Sequence, residues 1–267
     1  MGCTGPEGKL TWWAGLLGAL GLLGAIAGPV AAQQREITGK DGAPMVLVPA
    51  GEFMMGSKEF EYLKPVHRVY LDAFYMDKYE VTVGQYAKFL EATSLDAPVE
   101  WNIMNQPLHQ KRPVVRIDWA DASTYCRWAG KRLPTEAEWE KAARGTDGRV
   151  YPWGDDPPDR LRANYGKDNW NKHAVLVPVG SLEDGKSPYG IYDMAGNVWE
   201  WVSDWYDSNY YKTSPSKNPK GPERGENKVV RGGSWLYDIL FLQSAFRSSF
   251  EPSVRYNYNG FRCTKTP

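Results

Sequence analysis

Residues 118–145 read DWADASTYCRWAGKRLPTEAEWEKAARG, and two helix signals in this stretch set the fold class. Asp118 is a favourable N-cap because its carboxylate accepts hydrogen bonds from the first free backbone N–H groups of a helix. Ala122, Tyr125, Cys126 and Ala129 follow at helical spacing, so Cys126 points inward, and Gly130 stops the helix. A second helix opens at Pro134-Thr135-Glu136-Ala137-Glu138, with Thr135 and Glu138 as a capping box, and runs through Trp139 and Ala142 to Gly145.

Upstream, Thr82-Val83-Gly84-Gln85 is another capping box. Val83, Tyr86, Ala87, Phe89 and Leu90 supply the apolar stripe of a helix ending near Thr93. Before it the period shortens. Met45–Ser57, MVLVPAGEFMMGS, is a strand-like run broken at Pro49-Ala50-Gly51 and reads as a hairpin. A second strand pair follows in HRVYLDAFYMDKYEV, residues 67–81, where Val69, Leu71 and Ala73 alternate with polar neighbours. After Gly145 no long periodic segment remains. YPWGDD, RANYG and SPYGIYDMAGNVWEW read as turns and short strands with Trp and Tyr buried between them. The expectation is an α+β domain, with a small antiparallel sheet, short helices and much irregular structure.

Composition agrees. The 267 residues carry 12 Trp and 16 Tyr, whose faces need burial and whose polar edges need partners. The 27 Gly and 19 Pro are scattered, as tight turns require. Lys plus Arg and Asp plus Glu are both 32, which leaves no basic surplus for a phosphate backbone and excludes nucleic acid as the expected partner.

The amino end differs. Lys9 precedes an apolar run from Leu10 to Ala27, and Val30-Ala31-Ala32 places small residues before the polar Gln33-Gln34-Arg35. Residues 1–32 therefore read as a signal peptide or an uncleaved membrane anchor, 33–44 as a lead-in, and 45–267 as the folded domain. The protein is expected to be exported, periplasmic or extracellular, with membrane association if the segment stays. Cys3 stands too early to follow a lipobox, and Met1-Gly2 lacks the downstream hydroxyl of a myristoylation site. Removal of 1–32 leaves Cys126 and Cys263, either as a disulfide worth about 4–5 kcal/mol in the chain-entropy model or as two buried thiols.

Several blocks, in order, carry a family resemblance: MVLVPAGEFMMGS, PVHRVYLDAFYMDKYEVT, RPVVRIDWADASTYCRWAGKRLPTEAEWEKAARG, YPWGDD, YGIYDMAGNVWEWVSDWY, VVRGGSW and NGFRC. The chain resembles the formylglycine-generating enzyme (FGE), or sulfatase-modifying factor, family from about Met45 to Cys263. The resemblance implies a C-type-lectin-like FGE fold and a disulfide between Cys126 and Cys263. It also implies calcium at YDMAGNVWEW, with carboxylates from Asp193 and Glu200 and backbone carbonyls from Gly196 and Val198, a hard-oxygen set suited to Ca²⁺. From spacing alone, Asp193 and Glu200 read as turn caps beside Trp199 and Trp201. A second family calcium site maps onto Asn164, Tyr165 and Asp168, across a loop that matches less well.

Catalytic members bind Cu(I) between two cysteine thiolates shortly after a GGS motif, because soft thiolates select Cu(I). Here Gly232-Gly233-Ser234 is followed by Tyr237 at the first of those positions, and no thiol occurs before Cys263. Copper is not expected. Relatives that make ergothioneine hold iron with a histidine cluster, whereas His67, His109 and His173 lie far apart in this sequence and in no metal-ligand spacing. The acid pairs Asp155–Asp156 and Glu136–Glu138 read as a turn and a helix start rather than as catalytic pairs.

What remains is a surface. Trp235, Tyr237, Phe241, Phe246, Arg247, Phe250, Arg255, Tyr256 and Tyr258 combine rigid rings with Arg, the usual anchors of recognition. In lectin-like relatives this stretch forms the ligand face. Tyr237, Phe241, Tyr256 and Tyr258 are expected to be partly exposed in a groove, the other rings serving the core. The reading is an exported binding or assembly module for a peptide, glycan or partner subunit. The alternative is an oxidoreductase of the family using unrecognised ligands.

Overall fold

Each helix start read from the sequence is made by the side chain named for it. In the computed structural model, which describes residues 1–2 and 35–267, Thr82 caps helix α1 (Val83–Thr93), accepting from Gln85 N while Gln85 Oε1 accepts from Thr82 N. Residues 3–34, which hold most of the export or anchor segment, lie outside the described residues. A single turn, α2 (Trp101–Met104), was not anticipated. Asp118 accepts from Asp121 N at 2.8 Å to start α3 (Trp119–Trp128), and Ala122, Tyr125 and Cys126 are buried along it. Thr135 and Glu138 close the capping box of α4 (Glu136–Arg144).

The strands pair differently from the hairpins read in the sequence. Strands β1 (Glu36–Thr38), β2 (Pro44–Val48), β3 (Gly51–Met55), β4 (His67–Leu71) and β5 (Phe74–Asp77) follow the expected runs. However, β2 does not pair with β3, nor β4 with β5. Instead β3 pairs with β4 in register Gly51↔Leu71, and β2 pairs with β5 in register Val48↔Phe74. The β3–β4 hairpin is nested between two strands of another sheet. Pro49-Ala50 and Asp72-Ala73 are therefore the points where the chain leaves that sheet and returns, not hairpin turns. The rule that neighbouring alternating runs pair is a local one, and this pairing is set by the shared core.

The carboxyl half adds β6 (Trp199–Trp205), β7 (Lys228–Arg231), β8 (Arg247–Phe250), β9 (Asn259–Gly260) and β10 (Thr264–Lys265). One sheet has the order β8-β7-β6-β9, with β9 parallel to β6, and the other has the order β1-β2-β5-β10. The last strand of the chain thus closes the sheet begun by the first. One apolar core joins β2 to β5 with α4, around Phe53, Phe74 and Trp139. A second joins α1 and α3 to β6, around Tyr86, Phe89, Tyr125, Trp199 and Trp201. Burying each Phe contributes about 1.5–3 kcal/mol relative to exposure. Cys126 on α3 and Cys263, between β9 and β10, form a disulfide with Cα atoms 5.7 Å apart, and both are fully buried. Residues 35–267 lie in one compact unit of the α+β class.

Candidate functional site

After β7 the chain turns through Gly232-Gly233-Ser234. Gly233 has φ 74°, and a Cβ there would lie 2.8 Å from the Phe241 carbonyl, so the turn needs glycine to fold back on the 3₁₀ turn Ile239–Leu242. That return builds an aromatic array. The Tyr237 ring lies 4.9 Å from Phe241, 5.5 Å from Trp199 and 5.7 Å from Tyr258. Tyr258 stacks on Tyr256 at 4.8 Å, and Tyr256 meets Phe250 edge-on at 5.4 Å. Tyr256 is 39% exposed, and Leu236, Ile239 and Leu240 are exposed in the same segment. Tyr237, Phe241 and Tyr258 are half-buried.

Three residues assigned to this face by sequence serve elsewhere. Trp235 is 2% exposed and packs on Trp170 inside the core. Arg247 is buried, its Nε and Nη2 on the Glu136 carboxylate at 2.8 and 2.7 Å and its guanidinium over Tyr206 and Tyr211. It cannot meet a ligand, because its charge balances the acid that opens α4. Arg255 is exposed, but its guanidinium is taken up by Asp118 and Asp121.

The loop before β6 gathers carboxylates. Asp193 has φ 58° and is buried; its Oδ2 accepts from Gly180 N at 2.7 Å, whereas its Oδ1 is buried with no partner among the described residues. Gly196 has φ 80°, and a Cβ there would fall 2.4 Å from the Asn164 carbonyl. Glu200 lies at the other end of this loop with both oxygens bound, by Arg262 Nε and Nη2 at 2.7 Å each and by Trp139 Nε1 at 2.8 Å. Sequence reasoning missed a third acid. Glu80 is buried between Tyr79 and the first capping box, with Oε2 held by Asn197 Nδ2 at 2.7 Å and Oε1 unpartnered among the described residues. No spacing rule points to it.

Burial, and then the charges of Asp193 and Glu200, hold the Glu80 carboxyl well above the usual carboxylate range. Burial likewise pushes Asp193 up to about 6. Two unpaired hard oxygens facing a shared negative field suit a hard cation such as Ca²⁺. Glu200 does not fit as a ligand here, because a guanidinium already neutralises it. No group of three or more His, Cys, Asp or Glu placed to hold a metal occurs among the described residues.

The second set does not fit a divalent cation. Asn164 is buried with Oδ1 unpartnered, but the Tyr165 carbonyl accepts from Arg160 and Asp168 is exposed. Lys167 Nζ donates to the Val175 carbonyl at 2.9 Å, and burial, Arg160 and Arg112 lower its pKa. Cationic side chains crowd the place where a cation would bind.

His109 and His173, distant in sequence, have ring centroids 5.0 Å apart. His173 is fully buried with both ring nitrogens unpartnered among the described residues, and burial, His109 and Arg112 push its pKa down to about 3. His67 sits on Tyr211 in β4. Asp155 accepts from Val150 N, Asp156 pairs with Arg162, and Glu138 pairs with Arg132.

The comparisons with known proteins agree on a family. The sulfatase-modifying factor enzyme 1-like domain matches residues 31–267. The formylglycine-generating enzyme of Streptomyces coelicolor is 36% identical over 277 residues, covering 82% of this chain and 88% of that enzyme. A serine/threonine-protein kinase, pkn1 of Chlamydia caviae, is 36% identical over 241 residues, covering 83% of this chain but 38% of the kinase, so the chain spans well under half of that relative. Among solved structures, PvdO from Pseudomonas aeruginosa superposes with a TM-score of 0.74 at 27% identity, covering 88% of this chain and 100% of that one.

Proposed function

The chain belongs to the sulfatase-modifying factor enzyme 1-like family, and on that premise we propose that it is an exported binding or assembly module that does not generate formylglycine. The observation that carries this reading concerns thiols. Of three cysteines, Cys126 and Cys263 are joined in a buried disulfide, and no cysteine stands between Ser234 and Cys263. Tyr237, in the region where catalytic relatives place a copper ligand, is wedged among Trp199, Phe241 and Tyr258. Phenols and thioether-free rings do not replace two thiolates for Cu(I).

The ring array from Phe241 to Tyr256, with exposed Leu236 and Ile239 beside it, supports recognition of a peptide, a glycan or a partner subunit. Aromatic rings present large contact area at low entropic cost. Calcium is the proposed structural cation: Asp193, Glu80 and the loop carbonyls of Gly196 and Val198 would hold it, and it would neutralise buried charge and fix the loop. The second reading, an oxidoreductase, draws on the 36% identity with a formylglycine-generating enzyme.

One experiment separates the two. Purified protein is assayed for bound metals, then incubated with a Cys-x-Pro-x-Arg peptide, Cu(I) and oxygen. The binding reading expects no retained copper and an unchanged peptide mass. Stoichiometric copper with conversion of the peptide cysteine to an aldehyde overturns it.

A further inference from the structure

On a part of the surface outside the aromatic face and the carboxylate loop, β6, β7 and the start of α4 border a cavity of about 570 Å³. Its apolar wall includes Leu71, Ala73, Leu133, Pro219 and Trp119. Its volume falls within the range of small-molecule sites, roughly 300–1,000 Å³.

The charges bordering it are unevenly paired. Arg132 is bound to Glu138 at 2.6 Å, and Asp72 has Lys217 Nζ at 4.0 Å and Asn218 Nδ2 at 2.7 Å. Lys220 and Lys228 have no acidic partner within ion-pair distance among the described residues. Lys220 is exposed, so water serves it. Lys228 is 4% exposed, so its hydration is confined to what the cavity admits. Its Nζ lies 4.1 Å from the Trp119 ring centroid and 3.8 Å from that of Trp205, and it donates one hydrogen bond, to the Ser203 carbonyl at 2.8 Å. An ammonium has three donors, so two lack a protein acceptor among the described residues. Two indole faces replace part of its hydration by cation–π attraction, yet burial still lowers its pKa to about 8 against the opposing charge of Asp204, which lies beyond ion-pair distance. A buried cation beside an apolar cavity, with donors left over, is completed by an anion that brings its own apolar body.

We propose that this cavity binds a small organic carboxylate, whose carboxylate meets the Lys228 ammonium and whose apolar body lies against Trp119 and Leu133. Lys220 at the rim attracts the same charge. The site is independent of the aromatic face and does not rest on the function proposed above.

The test is calorimetric titration of the full chain with 2-naphthoate and with its neutral isostere 2-naphthamide. Naphthoate is expected to bind at least about tenfold tighter than the amide. Lys228→Met, which keeps the stem and removes the charge, is expected to abolish that preference, and Tyr256→Ala on the aromatic face to leave it unchanged. Equal affinity for the two probes, absence of saturable naphthoate binding, a preference that survives Lys228→Met, or a preference lost in Tyr256→Ala overturns the proposal. Should Lys228→Met not fold, Lys220→Met on the exposed rim decides: a naphthoate affinity reduced about threefold supports the site, and an unchanged one overturns it.

Discussion

Arg262 grips Glu200 through two hydrogen bonds of 2.7 Å, Nε to Oε2 and Nη2 to Oε1, and both side chains are buried. The same guanidinium donates to the carbonyls of Tyr192 and Asp77, so one residue near the carboxyl end locks β6, the carboxylate loop and the end of β5. Glu80 and Asp193 stand in its field as well. Arg262→Met leaves these acids without a buried counter-charge and should lower unfolding stability by about 3–5 kcal/mol. Glu200→Gln should cost less, because Glu80 and Asp193 remain to balance the guanidinium. Urea unfolding of both variants checks the order; a milder effect for Arg262→Met than for Glu200→Gln would show that the guanidinium is not the shared anchor.

The disulfide closes a long loop, Cys126 and Cys263 being 137 residues apart. In the chain-entropy model a loop of that length contributes about 4–5 kcal/mol by restricting the unfolded chain. The double variant Cys126→Ala/Cys263→Ala should therefore unfold at much lower urea concentration. An unchanged midpoint would mean that the cross-link adds no net stability.

Asp204 is buried, accepting from Glu136 N at 2.9 Å and from Ser203 Oγ at 2.8 Å. Burial, then the Glu136 charge, pushes its carboxyl up from 3.8 to about 7. Its folded pKa lies above its unfolded value, so the native state binds more protons between the two. The stability it adds is complete below about pH 3.8 and is lost as pH rises through about 7. Asp204→Asn should flatten the fall in stability at the upper end of that window, where Asp77 and Asp193, raised to about 6, have already titrated. Thermal denaturation at a series of pH values measures it, and parallel curves for variant and parent would refute the assignment.

The legible parts of this fold were those written in local chemistry. Thr82, Asp118 and Thr135 each satisfy a backbone donor within three residues, so their sequence context was enough. The pairing of β2 with β5 was not legible, because β3 and β4 intervene and nothing in PMVLV or FYMD states which sheet each run joins. Among site residues, Tyr237, Phe241, Tyr256 and Tyr258 form one array, as their clustering suggested. Arg247 did not join it. An arginine amid aromatics reads as surface, and its buried partner Glu136 stands 111 residues away. Glu80 was invisible for the same reason: its neighbours Asp193, Asn197 and Glu200 reach it only through the fold.

The carboxylate loop supplies the sharpest test of a bound cation. Asp193 Oδ1 and Glu80 Oε1 are buried without partners among the described residues, whereas Glu200 is fully bound by Arg262 and Trp139. A cation that binds the folded state stabilises it by mass action, about 2.7 kcal/mol when free ligand is a hundredfold above Kd. Calcium should therefore raise the melting temperature of the parent relative to chelator. Asp193→Asn and Glu80→Gln should lose that increment, because each removes a charge from an unpaired oxygen donor. Both variants should also be more stable than the parent in chelator at neutral pH, since each relieves the repulsion among three buried acids that share one guanidinium. Glu200→Gln should keep most of the calcium increment while losing stability in both conditions, its oxygens being committed to the guanidinium. Calorimetric melts of the four proteins with calcium and with chelator decide among these outcomes. A calcium increment abolished by Glu200→Gln but retained by Asp193→Asn would place the cation on Glu200 and mean that Arg262 moves aside when it binds.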